Sequence, residues 1–349
     1  RLEDLARRTK GALPGFGARA LSNIVWGVAR LQGAWAPELA EAVLEVSAGK
    51  LREFGPLDLS ILLWSSASLL LRPQRQFLAE VSRACERGIG GFRAQNVSNA
   101  LWAYATLSEA PQASVLRALE LRAAAVLPEL SPQHMSNSLW AFAKMAHAPQ
   151  AELLEGVAAQ ARLMSRHFTP QNIANILWAY STFGHRLPLV FLRSMEGEVM
   201  DKFGACLPQH LTHTLCAFAK QDFDPSDRFM RMWSDEVRNK AGSFNARDLA
   251  NSLWAVATLG DDRGHVPVAC LVVASTELLG TFNSQELSTT MWAVAQLGFV
   301  PEGRFLSACL ASLRANSGES SPQDIAMSAW ASAAFVLGSR KAGRASRKK

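Results

Sequence analysis

Cysteine and long hydrophobic runs are scarce in this sequence of 349 residues. The five cysteines are odd in number and form no C-x-x-C pair, which argues against a disulfide scaffold and indicates a reducing compartment. The longest strongly apolar run, residues 266–274, is about half the length that a membrane-spanning helix requires. Because no linker rich in proline, serine or glycine interrupts the chain, the sequence predicts one elongated domain outside the membrane.

Signatures of catalysis and of cofactor binding are also missing. The segment GIGGF, residues 88–92, lacks the G-x-G-x-x-G spacing of dinucleotide-binding loops, and AGK, residues 48–50, lacks the flanking residues of a phosphate-binding loop. The sequence contains no H-E-x-x-H and no G-x-S-x-G motif. It therefore predicts no enzyme activity, no cofactor and no small-molecule substrate.

The net charge of +6 comes from the C-terminal end of the chain. Residues 339–349, SRKAGRASRKK, carry six basic residues and no acid, which leaves 30 basic against 30 acidic residues elsewhere. We expect this segment to be a disordered basic tail that attracts phosphates without sequence preference. Any basic surface on the rest of the chain must come from segregation of charge onto one face.

Tryptophan recurs with a period of 38 residues along almost the whole chain. Cys216 takes the place of tryptophan at one node of this lattice. The nodes are Trp26, Trp64, Trp102, Trp140, Trp178, Cys216, Trp254, Trp292 and Trp330. Nine nodes without an insertion indicate units that stack on one another in the same geometry. Positions in each repeat are counted from its node, which is position 0.

Each repeat carries the signals of two helices. A capping residue stands nine residues before the node in several repeats and is followed by proline, as in Thr169 and Pro170. Glycine six residues past the node, as at Gly184, is typical of a helix end. A second proline nine residues past the node, such as Pro149, opens another amphipathic stretch. Each unit is therefore predicted to be a helical hairpin, helix A followed by helix B.

The predicted fold is all-α, an α-solenoid of nine tandem 38-residue helix-turn-helix repeats. The solenoid is expected to span residues 13–338. Residues 1–12 match the second half of a repeat and are expected to be the end of a truncated preceding repeat. Residues 339–349 form the expected tail.

Helix A has two faces when it is projected at about 100° per residue. Positions −5, −1, +2 and +3 form the predicted core, and the node tryptophan at its margin is predicted to be buried. Positions −7, −6, −3, +1 and +4 form a polar stripe on the opposite side, with alanine at +1. Because loss of a buried tryptophan at Cys216 would leave a void, we expect Trp233 in helix B of that repeat to fill it.

Two positions of the polar stripe differ in how much they vary between repeats. Position −3 is mostly Asn, whereas position −6 changes among Ala, Asn, His, Asp and Glu. A residue that is the same in every repeat can position a ligand, and a residue that varies between repeats can distinguish one base from another. This pattern suits a solenoid that binds the base edges of a linear polymer. Two structural alternatives stay open: the Asn side chains bond neighbouring A helices as a ladder, or the alanine at +1 is small because helices pack there.

The repeats resemble the octotricopeptide repeat, whose consensus runs close to PQxLANxLWALAxLG. The segments that carry the resemblance are SPQDIAMSAW (321–330), TPQNIANILWAYSTFG (169–184) and NARDLANSLWAVATLG (245–260). The resemblance covers residues 13–338, and related arrays occur in FASTK-like proteins and in subunits resembling the RNA-editing substrate-binding complex. It implies an α-solenoid of the mitochondrion or chloroplast that binds single-stranded RNA sequence-selectively and acts in RNA processing, stability or translation.

The candidate site residues follow from the positions of the polar stripe. The predicted base-facing residues are Asn96, Asn99, His134, Asn137, Asn172, Asn175, His210, His213, Asp248, Asn251, Glu286, Thr289 and Asp324. The residues predicted to contact phosphate, all at +4, are Arg30, Lys144 and Lys220. Other proteins of an RNA-processing complex are the second class of expected partner.

The alternative function is a protein-interaction scaffold of the HEAT or armadillo kind. A positive band along the stripe favours RNA, whereas a neutral or acidic band favours a protein ligand. Cys206, His210, His213 and Cys216 are residue types that bind zinc, but the helical register directs Cys216 away from both histidines. No metal site is therefore predicted.

Overall fold

The computed structural model describes residues 2–260, 266–301, 303–315, 318 and 320–346. Within these residues the chain forms 18 α-helices and no strand. The helices alternate between the two types predicted from the repeat. The predicted all-α solenoid of helical hairpins is confirmed.

The helices with even numbers are the A helices of the repeats. They are α2 (Ala18–Leu31), α4 (Pro56–Ser68), α6 (Ala94–Leu107), α8 (Pro132–Lys144), α10 (Pro170–Phe183), α12 (Pro208–Lys220), α14 (Ala246–Leu259), α16 (Ser284–Gln296) and α18 (Pro322–Ser346). The B helices are α1 (Leu2–Ala12), α3 (Ala36–Ala48), α5 (Arg75–Gly88), α7 (Ala113–Ala125), α9 (Ala151–Leu163), α11 (Leu189–Met200), α13 (Asp227–Lys240), α15 (Val268–Leu278) and α17 (Gly303–Ala315).

Contacts between residues divide the chain into two compact units, where the sequence predicted one elongated domain. The units are Arg1–Phe168 and Thr169–Lys349. Inside each unit, every A helix packs side by side with the next A helix and also against the B helix that follows it. Among the described residues, no helix is both long enough and apolar enough to cross a bilayer.

Three of the four core positions predicted for the A helices are buried in α10, whereas Ser181 at position +3 is half-buried. In α10, Ile173, Leu177 and Tyr180 at positions −5, −1 and +2 are completely buried. The alanine at +1 is also completely buried, as at Ala103 and Ala255, between neighbouring A helices. The alanine is therefore small because helices pack there, as the second structural alternative predicts.

Burial of the node tryptophans is also a wrong prediction. Trp26 and Trp330 are 45% and 49% exposed, and the other node tryptophans are half-buried. Position 0 lies one residue beyond the buried position −1 and so projects off the core by about 100°. Replacement of the node by Cys216 consequently opens no core void. Trp233 is fully buried for another reason: it packs between α12 and α13, and its indole N–H donates to the Leu211 carbonyl at 3.2 Å.

The helix ends follow the capping signals of the sequence. Helices α4, α8, α10, α12 and α18 begin at the predicted prolines. At the start of α10 the Thr169 hydroxyl accepts from the Asn172 N–H at 3.2 Å. In eight repeats the residue at position +6 has a positive φ, and in only three of them is this residue a glycine. These residues are Gln32, Leu70, Ser108, Ala146, Gly184, Asp222, Gly260 and Gly298.

The last A helix is longer than the sequence predicted. Helix α18 continues to Ser346 and so includes most of the segment that was expected to be disordered from residue 339. The segment SRKAGRAS contains no proline, and its alanine, lysine and arginine residues favour the helix, so α18 continues through Gly343. Residues 347–349 of the predicted tail lie outside the described residues.

The positive φ at position +6 predicts a stabilising substitution. Leu70 has a φ of 51° and is 75% exposed. Leu70→Gly should raise the free energy of unfolding by roughly 1 kcal/mol, because glycine adopts this conformation without steric cost. The reverse change Gly184→Ala, at a φ of 68°, should lower it by a similar amount. Chemical denaturation followed by circular dichroism measures both, and a loss of stability in Leu70→Gly would contradict the conformational argument.

Candidate nucleic-acid interface

Positions −7, −3, 0 and +4 of the A helices form one accessible row of side chains. Spacings of four, three and four residues place them about one helical turn apart on a single face. In α14, Arg247 and Thr258 at the two ends of the row are exposed, and Asn251 and Trp254 between them are half-buried. We call this row and its equivalents in the other A helices the A stripe. It differs from the predicted polar stripe because it includes the tryptophan and excludes positions −6 and +1.

The asparagines at position −3 lie on the A stripe with their amides unused. Asn23 is exposed, and Asn99, Asn137, Asn175 and Asn251 are half-buried. In the part of the chain that the structure describes, no hydrogen bond involves these five side-chain amides. The alternative of a structural asparagine ladder between A helices is therefore wrong, and the amides are available to a ligand.

The side chains at position −6 do not belong to the A stripe. Asn96, Asn172, Asp248 and Asp324 are only 5–8% exposed. The Asn96 side-chain oxygen accepts from the Arg93 N–H at 3.0 Å, which closes a capping box at the start of α6. The prediction that these four residues face bases is wrong, because they lie at the first turn of the helix, where they are buried between repeats.

The −6 side chains also connect one A helix to the next. The Asn96 amide donates to the Ser60 hydroxyl at 3.0 Å, and the Ser288 hydroxyl donates to Asp324 at 2.9 Å. Each of these hydroxyls occupies position −4 of the preceding repeat. Apart from Ala20, the residues at −6 are thus ones that can accept a capping hydrogen bond, and their variation is not a code displayed to a ligand.

The remaining −6 candidates use the same acceptor geometry. Nδ1 of His134 accepts from the Ser131 N–H at 3.4 Å, and Nδ1 of His210 accepts from the Leu207 N–H at 3.2 Å. Burial lowers the pKa of both histidines, which favours the neutral ring that this role requires. Glu286 accepts from the Asn283 N–H at 3.0 Å. The acceptor atoms of these three residues therefore bind backbone N–H groups at the starts of their helices.

His213 occupies position −3 of the repeat that has cysteine at its node. Its ring stacks on Trp178 of the preceding repeat, with ring centres 6.1 Å apart and planes inclined by 21°. Burial, followed by the charges of His210, Arg247 and Lys220, lowers the pKa of His213 to about 4. The imidazole is therefore neutral near pH 7. Thr289, the −3 candidate of α16, is half-buried on the A stripe.

Further contacts tie side chains together within the A stripe of the first three repeats. The Trp64 and Trp102 ring centres are 6.5 Å apart, with planes inclined by 33°. The Arg30 guanidinium lies 5.5 Å from the centre of the Trp26 ring and 5.3 Å from that of Trp64, within the range of a cation–π interaction. Arg30, a predicted phosphate contact, is thus exposed on the A stripe and held over two tryptophans.

Among the described residues, Cys206 and the cysteine and histidines of α12 are not placed together as metal ligands. Cys206 is buried, and burial raises the pKa of its thiol to about 11. The Cys216 thiol donates to the Asn251 carbonyl at 3.2 Å instead of facing the histidines. The described residues contain no group of three or more His, Cys, Asp or Glu side chains placed to bind a metal ion.

Charge on the A helices is segregated by position. In the A helices from α2 to α16 every lysine and arginine lies on the A stripe, and every aspartate and glutamate lies at position −6. The basic residues are Arg19 and Arg247 at −7 and Arg30, Lys144 and Lys220 at +4. All five are exposed. The A stripe therefore presents positive charge without acidic side chains of its own.

Arg19 and Arg247 are functional candidates that the sequence reasoning missed. Arg19 lies 3.2 Å from Asp58 and Arg247 lies 3.7 Å from Glu286, each an acid at position −6 of the next repeat. Both arginines occupy position −7, four residues before the asparagine, and this spacing was the signal that could have identified them. Lys144 and Lys220 have no carboxylate partner within the described ranges.

Comparison with protein families gives a match over most of the chain. The model of the RNA-editing substrate-binding complex 6 protein matches residues 4–264. This range includes the A helices from α2 to α14 and all five basic residues of the A stripe. No curated protein matches the chain significantly.

Two asparagines one turn apart in α6 allow a matched test of this assignment. Asn96→Ala should lower the free energy of unfolding by about 2 kcal/mol, because it removes a helix cap and the hydrogen bond to Ser60. Asn99→Ala, on the A stripe, should change it by about 0.5 kcal/mol or less. Urea denaturation of both variants measures the difference. Equal destabilisation would show that position −3 is structural after all.

The lowered pKa of His213 predicts how stability depends on pH. Between pH 6.5 and about 4 the unfolded chain binds a proton at this residue and the native chain does not, so stability falls as the pH falls. His213→Asn removes this contribution, whereas His134 and His210 remain in both proteins. The free energy of unfolding should therefore drop less between pH 7 and pH 5 in the variant than in the parent. Parallel pH profiles would contradict a buried neutral imidazole.

Proposed function

The chain belongs to the RNA-editing substrate-binding complex 6 protein family, and we propose that it binds single-stranded RNA along the A stripe. The family indicates a role in an RNA-editing substrate-binding complex, with RNA and protein partners. Our proposal adds the surface, the strandedness of the RNA and a preference for certain bases. It assigns the chain a binding role without catalysis.

The segregation of charge on the A helices is the observation that carries the proposal. Five basic residues lie on the A stripe of the A helices from α2 to α16, and the three acidic residues of the same helices lie at position −6. A peptide-binding groove has no need to exclude acids, whereas a surface for a polyanion does. Lys144 and Lys220 are the clearest phosphate contacts because both are exposed and neither has a carboxylate partner among the described residues.

Unused amides on the same row supply the means of reading bases. Each asparagine amide at −3 presents both a donor and an acceptor, the pair of groups that the edge of an unpaired base requires. The asparagines occur in repeats that follow one another at a regular rise, as at Asn99 and Asn137 in the first unit. The number of such repeats limits the motif to fewer than ten nucleotides, as long as one repeat contacts about one base.

The site of action and the repeat type are further parts of the proposal. The resemblance to the octotricopeptide repeat supports action on RNA in the mitochondrion or chloroplast, in processing, stability or translation. Protein partners of the complex are proposed to contact surfaces outside the A stripe. The B helices carry most of the acidic residues found in helices, such as Glu41, Glu80 and Glu155, and suit such contacts better than RNA.

Salt-dependent binding of the chain to a randomised pool of single-stranded RNA tests the proposal. The double variant Lys144→Ala, Lys220→Ala should lower affinity and should make the slope of log K against log salt shallower by about 1.4, at about 0.7 for each phosphate contact. The control Arg83→Ala, Arg162→Ala removes the same charge from exposed positions on α5 and α9 and should change neither quantity.

Sequence selection from the same pool tests the asparagines. Asn99→Ala and Asn251→Ala should change the selected motif and leave the salt slope unchanged, because neither amide contacts phosphate in our proposal. Equal effects of the two charge-removing pairs would indicate general attraction to a polyanion without a defined surface. Absence of RNA binding would favour the scaffold of the HEAT or armadillo kind instead.

A further inference from the structure

The node tryptophans differ in what covers their rings. In the first unit, Trp64 contacts both Arg30 and Trp102, and in the second unit His213 stacks on Trp178. For Trp254 and Trp292 the described residues provide no ring or cation partner. Both tryptophans are half-buried, so part of each indole is accessible on the A stripe.

Two contacts show which position of a repeat lies beside the node of the repeat before it. His213, at −3, stacks on Trp178 of the preceding repeat, and the Cys216 thiol donates to the carbonyl of Asn251, at −3 of the following repeat. Position −3 of one repeat therefore lies beside the node of the repeat before it. At the step after Trp254 this place is held by Thr289, which has no ring to lay on the indole.

The Trp178–His213 pair has the geometry of two stacked aromatic rings. A separation of 6.1 Å and an inclination of 21° fit an offset stack. The His213 ring is a planar, neutral heterocycle that covers one face of the Trp178 indole. A nucleobase is also planar and neutral, and it could cover the corresponding face of Trp254 in the same way. The repeat that contributes His213 is also the repeat that lacks a tryptophan of its own, because its node is Cys216.

We propose that Trp254 and Trp292 stack on bases of bound RNA, and that His213 occupies the equivalent place on Trp178 and closes it to RNA. This inference rests on the proposed binding of single-stranded RNA to the A stripe. Every base has a flat face, so stacking supplies affinity that tolerates sequence, while the −3 amides supply preference. His213 then marks a break in the row of binding positions within the second unit.

Substitution of individual tryptophans separates stacking from charge. Trp254→Leu keeps an apolar side chain but removes the aromatic face, and it should lower affinity for a randomised 12-nucleotide single-stranded RNA pool about tenfold. That loss corresponds to about 1.4 kcal/mol. Trp35→Leu, at a half-buried tryptophan outside the 38-residue lattice, is the matched control and should leave the affinity unchanged. Circular dichroism verifies that each variant is folded.

A double-mutant cycle tests the closure by His213. Trp178→Leu should leave affinity unchanged in the parent chain, because RNA does not reach that ring. His213→Asn should raise affinity several-fold by exposing Trp178 and adding the usual amide at −3. Trp178→Leu in the His213→Asn background should abolish that gain. No gain, or a gain that survives loss of Trp178, would overturn the closure.

The two levels of the proposal fail in different ways. If Trp254→Leu binds like the parent while the Lys144→Ala, Lys220→Ala variant is weakened, RNA binding stands and stacking is wrong. If the parent chain does not bind the RNA pool, the proposed function itself is wrong and the stacking inference falls with it.

Discussion

Close packing of neighbouring A helices at the buried alanine of position +1 is the constraint on which the rest of the structure depends. Ala103, Ala179 and Ala255 have no accessible surface, so consecutive A helices meet there with backbone close to backbone. This contact seals the flanks of each A helix, including positions −6 and −4. Only the narrow row at −7, −3, 0 and +4 remains accessible, and a larger side chain at +1 would separate the helices and change that row.

Because the flanks of the A helices are buried, polar side chains at position −6 need hydrogen-bond partners inside the structure. A polar group that is buried between repeats costs free energy unless it has a partner. Asn96 caps its own helix and donates a hydrogen bond to Ser60 of the repeat before it. Asp324 also caps its own helix, and it accepts a hydrogen bond from Ser288 of the repeat before it. The same bonds hold successive A helices in register, and this register carries the asparagines and tryptophans onto one continuous row within each unit.

The chemistry of the A stripe follows from what the packing leaves outside. Lysine and arginine project from the ends of the row, the unpaired amides lie inside it, and the indoles provide flat apolar faces. At Trp178 the ring of His213 covers one face of the indole, so that face is not available on the A stripe. In the proposed complex with RNA, a single change at −3 would alter affinity at one repeat, because each repeat contributes nearly the same backbone.

The sequence by itself determined the all-α class, the 38-residue period, the hairpin in each repeat, the capping prolines and the core at −5, −1 and +2. These features are local, because periodicity and capping depend on residues within a few turns of each other. The accessible face of helix A was decided only by the tertiary structure. Projection of a single helix separates the core from everything else, but it cannot tell a flank that packs against the next A helix from a face that meets solvent. For that reason Asp248 was placed on the surface and Trp254 in the core, whereas the contact between neighbouring A helices buries the first and leaves the second accessible.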